Sequence, residues 1–155
     1  MSAEESRIVS STRVIAASAA AIFELIADPS RQPEWDGNDN LGHADPGQRV
    51  HAVGDVFVMT NSGGNVRENA IVDFEEGRRI AWRPNPPGEP APGHEWRWAL
   101  APVDDGHTEV THTYDWTDLD PGSRPSRLAR ARATDAAYLQ ASLDRLAALA
   151  ESTRG

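Results

Sequence analysis

Cysteine and lysine are both missing from the 155 residues. Without cysteine there is no disulfide framework, no thiol nucleophile and no thiolate-ligated metal site. Without lysine there is no Schiff base and no amine nucleophile. The 15 basic residues are therefore all arginine, set against 24 acidic ones for a formal charge of -9 and a pI near 4.9. An exterior of that sign repels phosphate backbones and anionic headgroups, so neither nucleic acid nor a membrane is an expected partner. Long apolar runs are lacking as well. The longest, residues 14–27, is interrupted by Ser18 and Glu24, too short and too polar to span a bilayer. Residues 1–5 carry acids where an export signal needs positive charge, so a cytoplasmic location is expected.

What is present suits one ordinary domain over residues 1–155. Apolar residues make up 39%, and a chain of this length buries roughly two thirds of its unfolded surface. A core, or a core enclosing a cavity, needs no staple. Residues 8–15 are rich in β-branched side chains and read as a strand; Ser18 then caps a helix that Asp28-Pro29 ends. Pro29 opens a second short helix ending near Trp35. From there to Trp116 the apolar period falls from 3.6 to 2, and turns such as Ser62-Gly-Gly-Asn65, Glu76-Gly77 and Asp104-Asp-Gly106 recur at hairpin spacing. Strands joined so tightly must be antiparallel neighbours. A further strand is expected within residues 41–50, and the proline-rich stretch 84–93 reads as a stiff extended loop. An alanine- and arginine-rich segment, about 126–151, predicts one long terminal helix. The expected class is α+β: a sheet with one face to bury, and that helix to cover it.

Several segments carry a family resemblance. They are Phe-Glu-Leu-Ile-Ala-Asp-Pro-Ser-Arg-Gln-Pro-Glu-Trp35, Val-Gly-Asp-Val-Phe57, the run from Val72 to Trp82, and the run from Trp96 to Trp116. Together they resemble the SRPBCC, or START-like (Bet v 1-like), superfamily, and within it the polyketide cyclase/dehydrase branch. The resemblance implies a helix-grip fold: a curved antiparallel sheet wrapped around a C-terminal helix, with a hydrophobic cavity between them. It implies no shared catalytic motif.

Alternation along each strand gives the inward face independently. Val110, His112, Tyr114 and Trp116 fall on one face of the last strand; Trp96, Trp98 and Leu100 on the one before; Ile80 and Trp82 on the next. Phe57 and Met59 bring Asn61 inward. On residues 66–74, burying Val72 and Phe74 sends Ala70 and Glu68 inward too. Four of the five tryptophans then line one concave surface, each able to bury about 200 Å², either as solid core or as the wall of a ligand site. On the terminal helix Leu128, Arg132, Asp135, Leu139, Leu143 and Leu146 form a stripe. The charges on it either pair at a solvated helix end or serve a site, Arg132 holding a ligand carboxylate or carbonyl.

The leading expectation is binding of a small hydrophobic molecule, aromatic, lipid or polyketide-like. Its contacts would be Phe57, Met59, Asn61, Trp82, Trp96, Trp98, Tyr114, Trp116, Asp135 and Leu139. The alternative is a cyclase/dehydratase with Glu68 or His112 as general acid or base and Arg132 polarising a carbonyl. A chaperone-activating module ranks behind both, because the outward strand faces read as polar and offer no docking patch. No histidine or carboxylate spacing suits a metal, and no glycine-rich phosphate loop occurs, so no metal and no cofactor are expected.

Overall fold

The computed structural model describes residues 6–152. Residues 1–5, on which the expectation about export rests, lie outside the described residues, as do 153–155. The chain opens with β1 (Ile8–Ile15) and α1 (Ala19–Ala27). Ser18 Oγ accepts from Ala21 N at 3.2 Å, giving one of the orphan amides of the first turn a partner. Asp28 repeats the device from Ser30 N at 3.1 Å, so the backbone re-enters a 3-10 turn at Pro29–Arg31 and then α2 (Gln32–Trp35). Six strands follow: β2 (Leu41–His43), β3 (Val56–Asn61), β4 (Val66–Glu75), β5 (Arg79–Asn85), β6 (Glu95–Asp104) and β7 (His107–Asp115). The strand expected within residues 41–50 is thus only three residues long.

All seven strands form one curved antiparallel sheet in the order β1-β7-β6-β5-β4-β3-β2. The first strand pairs with the last, so the chain's two ends meet at one edge and the hairpins run out to the other. The fold is the α+β helix-grip. A first core lies between the concave face of the sheet and the helices, with Ile15, Ile22, Phe23, Ile26, Trp98 and Leu143 among its buried members. No helix among the described residues is long and apolar enough to cross a membrane.

Three features depart from the sequence-based expectation. The terminal helix is two helices, α3 (Pro125–Ala133) and α4 (Ala136–Ser152). Thr134 sits between them in extended conformation, its hydroxyl donating back to Arg130 O at 2.8 Å, while Asp135 Oδ1 accepts from Tyr138 N at 2.9 Å. A side chain that bonds its own backbone stops one helix and caps the next. The high helix propensity of the flanking alanines masks this in composition.

The second departure is a bulge in β4. Ile71 pairs with Trp82 and Asp73 with Ala81, leaving Val72 unopposed. Two residues on one strand against one on its partner shift the alternation by one. Phe74 and Ile71 therefore both face inward, Val72 is 40% exposed, and from Ile71 back to Val66 the inward set is Ile71, Asn69 and Arg67 instead of Ala70 and Glu68. Third, the convex face is less polar than expected, because Val56, Val58, Val66 and Val72 stand exposed on β3 and β4.

Candidate functional site

Between the concave face and the helices lies a cavity of about 370 Å³. Cross-strand pairing builds its aromatic wall. Trp98 stands opposite His112 and Trp96 opposite Tyr114, so rings on adjacent strands meet: Trp98 stacks on His112 with centroids 3.7 Å apart, and Trp96 packs tilted against Tyr114 at 4.4 Å. Trp82 meets Phe57 edge-to-face at 5.4 Å, and Met59 continues the wall along β3. Quadrupole geometry favours such edge and offset contacts over free rotation, which makes the wall rigid. The roof comes from the two terminal helices, where Arg130, Thr134, Tyr138 and Ser142 line the cavity at intervals of four. Trp35 and Asp36 close one end.

The polar lining divides by whether its hydrogen bonds are spent. Trp35 Nε1 donates to Leu25 O at 2.7 Å and Gln32 Nε2 to Ile26 O at 3.0 Å. Asp36 accepts from the amides of Asn38, Asn40 and Leu41. Asn40 Nδ2 donates to the Tyr138 hydroxyl. These groups shape the loop after α2. By contrast Trp98 Nε1 is buried without a hydrogen-bond partner among the described residues, and none is found there for the Tyr114 hydroxyl or the Asn61 side-chain amide. A buried donor without a partner costs roughly 1–3 kcal/mol.

His112 Nδ1 lies 3.0 Å from Arg97 O. A carbonyl only accepts, so Nδ1 carries the hydrogen and the neutral ring keeps its Nε2 lone pair. Burial pushes this imidazole down to about 4. His94, at the other side of the wall, is also held at about 4, first by burial and then by the positive charges of Arg127, Arg67 and Arg130. Burial, with Tyr138 close by, moves the Tyr114 hydroxyl up to about 12.

Of the candidates taken from the sequence, Phe57, Met59, Asn61, Trp82, Trp96, Trp98, His112 and Tyr114 all line the cavity. Glu68 does not. The bulge turns it outward, where its Oε1 accepts from Asn85 Nδ2 at 3.1 Å, so the expected carboxylate–imidazole pair with His112 is not formed. Arg132 is exposed, with its guanidinium 5.9 Å over the Trp116 ring, and Asp135 is the exposed N-cap of α4. Trp116 and Leu139 do not line the cavity; they pack with Leu119 and Ala131 in a second buried cluster that reaches it through Tyr114. Trp35, Arg67, Asn69, His94, Arg130 and Tyr138 line the cavity without having been singled out. The bulge hid Arg67 and Asn69. The helix break hid Arg130 and Tyr138, although Thr134-Asp135 is itself a cap signature.

A profile of the family described as polyketide cyclase/dehydrase and lipid transport matches residues 6–151. The chain belongs to that family. Solved structures agree on the fold of this SRPBCC branch. A protein of Mesorhizobium loti is 20% identical with a TM-score of 0.69, the alignment covering 96% of this chain and 100% of that one. A START superfamily protein of Mycobacterium smegmatis is 15% identical at TM-score 0.65, covering 94% and 98%. DynU16, a protein of the dynemicin biosynthetic locus, is 20% identical at TM-score 0.65, covering 96% of this chain and 49% of DynU16. Among curated proteins none matches this polyketide cyclase/dehydrase family member by sequence.

Proposed function

We propose that this protein binds a small, mainly aromatic or alicyclic molecule in the cavity between sheet and terminal helices. The observation that carries the reading is the aromatic wall around about 370 Å³ of space, within the range of small-molecule sites. The Tyr114 hydroxyl and the Asn61 side-chain amide add polar groups able to orient such a ligand. The family description, which names both cyclase/dehydrase activity and lipid transport, agrees with an enclosed ligand. Catalysis is the weaker reading. Of Glu68, His112 and Arg132 only His112 lines the cavity, and a base held near 4 is far from the value that serves proton abstraction at neutral pH. The test is titration with the neutral fluorophore N-phenyl-1-naphthylamine. Saturable one-to-one binding, weakened at least about tenfold by the cavity-filling Met59→Trp, is expected. Absence of saturable binding, or an unaltered affinity in Met59→Trp, rejects the reading.

A further inference from the structure

Many arginines elsewhere on this acidic chain are neutralised. Arg79, Arg83 and Arg97 on the convex face pair with Asp73, Glu95 and Asp118, and Arg49 holds Glu24 and Glu76 at 2.5 Å each. At the rim of the cavity the pattern reverses. Arg67 arrives from β4 because of the bulge, and Arg127 and Arg130 from one face of α3. Among the described residues no carboxylate forms an ion pair with any of the three. Arg67 is half-buried and its one recorded side-chain bond goes to Val66 O at 2.8 Å. Its guanidinium is held below its usual range by burial and then by the fields of Arg127, Arg130 and Arg124, with Glu89 the acid that offsets them.

These side chains do more than crowd one another. Arg67, Arg127 and Arg130 bound a small recess of about 60 Å³, completed by His94, Tyr114 and the prolines of the 84–92 segment. Arg67, Pro84, His94, Tyr114 and Arg130 also line the main cavity, so the two spaces adjoin. The volume is about that of two waters in the liquid, enough for a carboxylate-sized group. Like charges gathered in a partly desolvated place destabilise the fold unless an anion offsets them. Guanidinium forks are suited to oxyanions.

We infer that this recess is an oxyanion subsite of the cavity, and that the molecule bound is an aromatic body carrying one anionic oxygen group, held by Arg67, Arg127 and Arg130. This rests on the cavity being a ligand site, as proposed above, and names the class of ligand. An anion meeting a protein of net charge -9 is then drawn to a rim where three arginines gather.

The test compares two fluorophores with the same aromatic body: N-phenyl-1-naphthylamine, which is neutral, and 8-anilinonaphthalene-1-sulfonate, which is anionic. The anionic probe is expected to bind at least about tenfold more tightly at low salt, and to lose that advantage as salt is raised. Arg67→Gln and Arg130→Gln should each weaken it about tenfold while changing the neutral probe less than about twofold. Arg78→Gln, on the hairpin between β4 and β5, should change neither. Because Arg130 is exposed, Arg130→Gln carries the test even if Arg67→Gln fails to fold, which thermal unfolding monitors. If the neutral probe binds but the anionic one gains nothing, or if the arginine variants weaken both equally, the oxyanion subsite is overturned while the cavity reading stands. If neither probe binds, both are overturned.

Discussion

His112 shows how environment, more than residue type, sets what a side chain can do. Stacked against Trp98 and donating to Arg97 O, it stays neutral down to about 4, whereas in the unfolded chain it protonates near 6.5. Between those values the unfolded state binds the extra proton. The stability from this residue is thus full above about pH 6.5 and falls as pH drops toward 4, by about 3 kcal/mol in total. His112→Asn keeps a donor for the Arg97 carbonyl and does not titrate. Urea unfolding at about pH 7 and about pH 4.5 should show the parent losing more stability than this variant; parallel losses would contradict the assignment. His94 titrates with the same sign in both proteins and cancels in the comparison. Glu68→Gln offers a second check, because its carboxylate faces outward toward Asn85. Binding of the neutral naphthylamine should change less than about twofold.

At the scale of elements, two positions hold the helices over the cavity. Gly37 follows α2 where the chain presses on α4: its N–H donates to Ser142 Oγ at 3.1 Å, and a Cβ there would stand 2.3 Å from the Ala141 carbonyl carbon. Backbone meets backbone, so neither side can yield by a rotamer change. Gly37→Ala should cost about 1–3 kcal/mol, read as a lower thermal midpoint; an unchanged midpoint would mean that the contact is slack. Asp135→Ala removes the cap of α4 and should cost about 1 kcal/mol, with probe affinity unchanged because Asp135 does not line the cavity. Elements were the most legible level in the sequence. Proline, the Ser18 and Asp28 caps and the glycine turns announce themselves locally, and the inward residues of β5, of β6 up to Leu100 and of β7 keep a period of two. The join between α3 and α4 was not read, because strong helix formers on both sides outweigh a single Thr-Asp pair in any window average.

For the molecule as a whole, a ligand that binds only the folded state must stabilise it. At a free concentration about 100 times its dissociation constant the gain is about 2.7 kcal/mol, a rise of roughly 5–10 °C in midpoint for a domain of this size. A scan of N-phenyl-1-naphthylamine concentration against thermal midpoint should trace that logarithm. The helix-grip architecture and the aromatic wall were legible because they rest on patterns that span many residues. The charge at the rim was not, since it depends on a count of one in β4. That count works like a reading frame. Residues 66–71 carry one alternating set that is basic and amide-bearing, Arg67 and Asn69, and another that is acidic and small, Glu68 and Ala70. The unopposed Val72 selects which set is expressed on the inside. Were Val72 instead paired in the ladder, the same sequence would turn Glu68 inward and Arg67 outward, setting a carboxylate beside Arg127 and Arg130 where this protein presents a guanidinium.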